Sequence, residues 1–169
     1  MERVERRPGL AAAMRVLVTG ANNEYGRGVA ATLAANGHQV RAFGVAAGED
    51  PFHHENVQCY PGDVVVGGQM EPAAAECQAL VHCANLDDAP RGQLARHIRD
   101  GTRYARYAAE RELVDQFVVL FPAKSSATRA VEDAEALVRD AKVPHVSLAA
   151  ESPEAAAHEV TRLLGRAAA

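Results

Sequence analysis

The first residues whose types and spacing point to chemistry are Thr19-Gly20-Ala21-Asn22-Asn23-Glu24-Tyr25-Gly26. They follow the β-branched run Arg15-Val16-Leu17-Val18 and precede Val29, Ala30, Leu33 and Ala34, which recur at helical spacing. A strand ending at Gly20 and a helix opening near Tyr25-Gly26 direct free backbone N–H groups and a positive helix end at one spot, where a phosphate could sit. A turn of this kind uses three glycines, for the tight bend, for close approach of a pyrophosphate and for helix–strand contact. Gly20 and Gly26 supply the first and third, and Asn23 stands where the second belongs. Asparagine tolerates positive φ, so the bend can survive, but its side chain takes space a pyrophosphate would use. Glu24 adds a negative charge beside it. A site built here would use Gly20, Asn22, Asn23, Tyr25 and Gly26; the alternative is a scaffold turn that binds nothing.

Other candidates lie where strands end. Gly62-Asp63 suits a ligand contact or an ordinary strand-end turn, and Asn85, Asp87 and Asp88 suit a ligand edge, a solvated loop or a helix cap. His82 reads as a packed histidine before it reads as a base. His53-His54 lacks the accompanying Cys, Asp or Glu that a metal would need, so no metal site is expected. Lys124, Ser125 and Ser126 offer a cation and hydroxyls, or simply a polar loop before a helix. If the crevice does chemistry of its own, such as an isomerisation, cyclisation or dehydration, the candidates are Glu24, Asn85, Lys124, Ser125 and Glu151.

The elements that must position these residues alternate between short β-branched runs and longer helical stretches, the pattern of βαβ units with a parallel sheet. Strands are expected at 15–19, 39–43, 57–60, 79–82, 116–120 and 145–148. The first helix stops near Asn36-Gly37, and 44–55 is a loop. A long helix over 92–111 carries Leu94, Ile98, Gly101, Ala105 and Ala108 on one face, and another over 127–141 carries Val131, Ala134, Leu137, Val138 and Ala141. These stripes of small residues suit close packing on the sheet or on a partner subunit. A last helix over 153–166 turns Val160, Leu163 and Leu164 inward. The expected fold class is α/β, a doubly wound parallel sheet of six strands with helices on both faces. Residues 1–13 read as a disordered extension and 14–169 as a single domain.

Composition narrows the partners. Hydrophobic residues make up 48% and charged residues 24%, and no stretch approaches the roughly 20 apolar residues of a membrane span. With 18 lysines and arginines dispersed among 22 acids, there is no basic block for nucleic acid or a membrane surface. Cys59, Cys77 and Cys83 are odd in number and lack ligand spacing, which fits a reducing cytoplasm.

Taken together, these segments resemble the short-chain dehydrogenase/reductase superfamily, in its extended epimerase/dehydratase form or an atypical NAD(P)H-binding relative. Val18-Thr19-Gly20-Ala21 and Gly26 resemble its first turn, and Gly37-His38-Gln39-Val40-Arg41-Ala42 its entry into the second strand. Gly62-Asp63 resembles the pair whose aspartate meets adenine, and Ala79-Leu80-Val81-His82-Cys83-Ala84-Asn85 the fourth strand with its cofactor-facing end. Gly101-Thr102-Arg103 and Gln116-Phe117-Val118-Val119-Leu120 resemble the long helix and the fifth strand. The resemblance spans 14–148 and implies a Rossmann-like fold and NAD or NADP as cofactor. It also implies contacts from Asp63, Cys83, Ala84 and Asn85, a small-molecule ligand, and a homodimer formed through the helices near 92–111 and 127–141.

The departures bear on function. The family's tyrosine with a lysine four residues on, which exchanges a proton as hydride moves, is missing. Its places fall near Ala127 and Val131, and the only lysines are Lys124 and Lys142. Phe121-Pro122 replaces the hydroxyl residue after the fifth strand. Gly44 and Val45 stand where NAD-binding members carry an acid and NADP-binding members an arginine. The resemblance therefore implies a reductase working without the dyad, a cofactor-free enzyme in the same crevice, or a non-catalytic binding module.

Overall fold

The computed structural model describes residues 10–83 and 92–167. In chain order the elements are β1 (Leu10–Ala11), β2 (Arg15–Thr19), α1 (Glu24–Ala35), β3 (Gln39–Phe43), β4 (Val57–Tyr60), α2 (Glu71–Ala74) and β5 (Ala79–Cys83). They continue as α3 (Leu94–Arg111), β6 (Gln116–Pro122), α4 (Thr128–Arg139), β7 (His145–Ala150), α5 (Pro153–Leu164) and β8 (Arg166–Ala167). Six strands form one parallel sheet in the order β4-β3-β2-β5-β6-β7. The chain first winds outward from β2 to β4, then crosses β2 to begin again at β5. That reversal opens a crevice at the carboxyl ends of the central strands, where ligands bind in sheets of this class.

The alternation of side chains along each strand divides the interior in two. Leu17, Leu80, Phe117 and Val119 point to one face and meet α2, α3 and α4 through Ile98, Ala105, Ala108, Ala130 and Ala134. Val16, Val18, Val81 and Val118 point to the other and meet α1 and α5 through Val29, Leu33, Ala156 and Val160. The central strands are buried on both faces, so they read as unbroken apolar runs. Each large aliphatic or aromatic side chain withdrawn fully from water contributes about 1.5–3 kcal/mol.

The small-residue stripe of α3 lies against the sheet, with Gly101 bringing the helix down over β5. A Cβ at Gly101 would stand 3.2 Å from Val64 and 3.4 Å from His82. On α4, Ala130, Ala134 and Val138 are buried, whereas Val131 and Leu137 are half-buried, as is Ala141 beyond the helix; the inward stripe runs through Ala130, Ala134 and Val138. Arg99 on α3 and Asp133 on α4 join the two helices at 2.9 Å.

Several expected boundaries need correction. Strands β5, β6 and β7 run one or two residues past their expected ends, to Cys83, Pro122 and Ala150, since their parallel neighbours keep accepting hydrogen bonds there. Helices α3, α4 and α5 are shorter than expected at one or both ends. Leu10–Ala11, inside the expected disordered extension, pair with Arg166–Ala167. The short α2 was not anticipated. No described helix is long and apolar enough to cross a membrane.

His38 fastens the edge of the sheet remote from the crevice. It is fully buried, and its Nδ1 accepts the Met14 N–H at 3.1 Å while its Nε2 donates to the Gly165 carbonyl at 2.7 Å. Ile98 tests the division of the interior: Ile98→Ala is expected to lower unfolding free energy by about 2–5 kcal/mol, whereas Leu113→Ala, at an exposed site, changes it by under about 0.5 kcal/mol. Urea titration of both variants measures the contrast.

Candidate functional site

The turn between β2 and α1 is built around two glycines. Gly20 adopts φ +68°, and Gly26 packs so closely on it that a Cβ would overlap the Gly20 carbonyl and stand 2.9 Å from the Ala21 nitrogen. A side chain at Gly20 would in turn meet the Cys83 carbonyl at 2.8 Å. These contacts bring the start of α1 directly onto the ends of β2 and β5.

Asn23 behaves differently from the sequence expectation. Its φ is −112°, so its tolerance of positive φ is not used. It is the N-cap of α1: its Oδ1 accepts the Gly26 N–H at 2.9 Å, and its own N–H donates to the Gly20 carbonyl at 3.1 Å. Only 8% exposed, the side chain is folded back on the helix end rather than thrust into the phosphate space. One helix-end donor is thereby occupied, while the N–H groups of Glu24 and Tyr25, in the first two helical positions, have no intrahelical acceptor. The Glu24 side chain is exposed and is not among the residues lining the crevice.

The crevice at this edge consists of two adjoining cavities that share Asn22, Gly44 and Gly62. The larger, about 440 Å³, is lined by Gly20, Asn22 and Asn23 of the turn, by Asp63 and Val64 to Val66 after β4, and by Cys83 at the end of β5. Gln93, Arg96 and His97 at the start of α3 complete it. The smaller, about 310 Å³, lies beyond the end of β3 and includes Arg27, Val45 and Glu49. Gly62 permits its own loop to close: with φ +152°, a Cβ there would come within 2.5 Å of the Phe43 ring.

The structure thus brings Gly20, Asn22, Asn23, Asp63 and Cys83 together around one space, with Gly26 beneath it. Asp63 also holds its loop, its Oδ1 accepting the Val65 N–H at 3.0 Å. Tyr25 packs against the core between α1 and the sheet instead of lining the crevice. Ala84, Asn85, Asp87 and Asp88 lie outside the described residues. Lys124 and Glu151 are exposed just beyond β6 and β7, and the Ser125 Oγ accepts the Ala127 N–H at 3.1 Å at the approach to α4. None of these three is among the residues lining the two cavities. Sequence reasoning missed Gln93, Arg96 and His97, having attended to the apolar stripe of this helix. The available signal was their place in the first turn of a helix that starts at the ligand edge.

Two groups near the crevice are chemically quiet. Burial pushes the Cys83 thiol up to about 12, so it stays un-ionised. His82, fully buried, shares a 2.6 Å hydrogen bond between its Nδ1 and the Thr19 hydroxyl, and burial pushes it down to about 4. Its Nε2 and the Thr102 hydroxyl are buried without a partner. His82 is therefore a neutral core histidine. Among the described residues there is no group of three or more His, Cys, Asp or Glu placed to hold a metal ion. The adjacent His53 and His54 sit in a turn in which the His54 Nδ1 accepts the Asn56 N–H.

No protein-family model and no curated protein matches the sequence. Solved structures do match the fold. The Bordetella bronchiseptica enzyme WbmG in complex with NAD is 21% identical over 87% of this chain and 55% of its own, with a TM-score of 0.69. A short-chain dehydrogenase/reductase superfamily protein from Agrobacterium tumefaciens with bound NAD is 23% identical over 80% of this chain and 48% of its own, at 0.65. NmrA, a negative transcriptional regulator, in complex with NADP is 15% identical over 81% and 45%, also at 0.65. The chain spans about half the length of these structures. The resemblance drawn from its residues therefore holds at the level of fold, a Rossmann-like parallel sheet.

Two glycines two positions apart should respond oppositely to alanine. Gly26→Ala is expected to cost more than about 4 kcal/mol, because backbone must move. Gly28→Ala, whose Cβ would meet only the Pro153 carbonyl at 3.9 Å, should stabilise α1 by about 0.5–1 kcal/mol. Thermal unfolding of the two variants distinguishes these outcomes.

His82 sets a pH dependence. The unfolded chain takes up its proton near pH 6.5 and the folded chain only near 4, so this contribution is complete above about pH 7. It is lost on acidification through that window at up to about 1.4 kcal/mol per pH unit. Urea titrations from pH 7.5 to 4 should show a slope shallower by about one proton in His82→Gln than in the native chain; identical slopes would refute the assignment.

Proposed function

We propose that this chain is an NAD(P)-binding protein of the short-chain dehydrogenase/reductase type, acting as a reductase that works without the tyrosine–lysine dyad. The observation that carries the reading is the junction of Gly20 and Gly26, which sets the start of α1 beside the crevice where the chain reverses between β2 and β5, with Gly20, Asn22 and Asn23 of the turn lining it.

The residues present fit a dinucleotide. Gly20 and Gly26 keep the backbone cradle, and Asn23 spends its side-chain oxygen on one helix-end donor while leaving the first two for a pyrophosphate. Asp63 lies where the resemblance implies an adenine contact, and Asn22 lies between the two cavities. A nicotinamide cofactor supplies hydride transfer when bound. The chain's own share is to bind and orient. Gln93, Arg96 and His97 supply hydrogen-bond donors and cationic character on the α3 side, suited to holding a polar or anionic acceptor, while Val64 to Val66 supply an apolar surface. Proximity and orientation of the two reactants then take the place of a dedicated proton donor.

Titration of NADH and NADPH into the full chain, followed by nicotinamide fluorescence, tests the reading. Saturable binding is expected below millimolar cofactor, and its absence at that concentration would refute it. Asn23→Gly supplies the middle glycine of the turn: it is expected to tighten binding several-fold while changing stability by only a few tenths of a kcal/mol, whereas Asn23→Ala costs about 1 kcal/mol. Binding unchanged in Asn23→Gly would show that the cap does not limit the phosphate site.

A further inference from the structure

We infer that two copies of this chain join edge to edge through β7, their sheets running on into one another across a two-fold axis at Ser147. Pairing there needs no ligand in the crevice. The Phe117 N–H donates to the Pro144 carbonyl at 2.8 Å and the Ala123 N–H to the Ala150 carbonyl at 2.9 Å, so alternate residues of β7 turn their backbone groups toward β6. The N–H and C=O groups of His145, Ser147 and Ala149 face the other way, where the sheet ends. Their side chains are exposed as well. The His145 Nδ1 donates to the Val143 carbonyl at 2.8 Å, satisfying the backbone just before the strand and marking where the open edge begins.

Edge strands are ordinarily guarded by a charged side chain, a proline, a bulge or a covering loop. Among the described residues β7 has none of these: His145–Ala150 contains no proline, lysine, arginine or acid, and its register with β6 is unbroken. The opposite edge, β4, is guarded. The loop after β3 folds back on it, with Phe52 clustered against Val57 and Cys59 and Asp50 receiving the Cys59 thiol at 3.7 Å.

Three features make a second copy the occupant that fits. An antiparallel pair centred on Ser147 sets that residue opposite itself and His145 opposite the partner's Ala149. Every outward-facing residue of the strand then stands in a hydrogen-bonded pair that exchanges two N–H···O bonds. On the α5 side of the sheet, Val146 comes to oppose the partner's Leu148; both are half-buried in one copy, so the pairing covers apolar surface still open to water. The ends of the strand are complementary in charge. Lys142 precedes it and Glu151 follows it, both exposed and neither in an ion pair among the described residues. Antiparallel pairing brings each beside the other at both ends of the junction.

Sedimentation velocity on the full chain over a range of concentrations tests the inference. A strand edge buries less than the roughly 1,200 Å² of a stable interface, so the dimer is expected to dissociate with a Kd of about 10–100 μM. Ser147→Lys sets two ammonium groups face to face at the axis and should weaken the dimer at least about tenfold, with the far-ultraviolet circular dichroism unchanged. Lys142→Glu should weaken it too, and adding Glu151→Lys to the same chain should restore it. Under oxidation Ser147→Cys should give a covalent dimer, its two Cα atoms about 5.5 Å apart across the axis, whereas in His145→Cys they stand about 13 Å apart and should not join. A chain monomeric at every concentration would overturn the inference. So would a dimer untouched by Ser147→Lys but abolished by Tyr107→Glu on the exposed side of α3, or a covalent dimer from His145→Cys and none from Ser147→Cys.

Discussion

The whole arrangement depends on one steric fact: no atom can be added to Gly26 without overlapping the Gly20 carbonyl. That contact fixes where α1 begins and how it lies across β2, so that Val29, Ala30 and Leu33 arrive over the strand face carrying Val16 and Val18. It also fixes where the helix end points. The same contact therefore governs packing on one side of the sheet and the chemistry available at its edge, and neither can be altered independently of the other.

Around that fixed point the polar groups are distributed unusually. The turn answers part of its own helix-end demand through Asn23, a covalently attached substitute for an anion at the Gly26 N–H. Arg96 and His97 of α3 and Arg27 of α1 stand further out, lining the two cavities. Rigid backbone dipoles cost nothing to organise, whereas guanidinium groups must be ordered when they bind.

Much of the fold was legible in the sequence because its signals are local. The six strands stand out as β-branched runs, Gly37 stops the first helix, and Gln39 to Phe43 begins where expected. Strand ends were not legible, since whether Phe121 and Pro122 stay extended is decided by Ala149 and Ala150 on a neighbouring strand. The turn's half of the site could be read, but its meaning could not. Asn23 looked like an obstruction because a sequence shows a side chain's size and not its direction; the nearby Gly26 N–H turns it inward. The opposite half, Gln93 to His97, meets the turn from some seventy positions away in the chain, a proximity created only when β5 crosses to the far side of β2. Arg27 is hidden for a related reason. It belongs to α1 by periodicity and to the smaller cavity only through the geometry of the turn.

The pairing of Leu10–Ala11 with Arg166–Ala167, beside the His38 clip, brings the two ends of the described chain to one place. That place is the amino edge of the sheet, and the crevice opens at the carboxyl edge, a strand's length of about 17 Å away. A segment continuing from Leu10 or Ala167 starts at the back of the molecule, a strand's length from the crevice. The first and last described segments thus lie side by side with the mouth of the crevice left open.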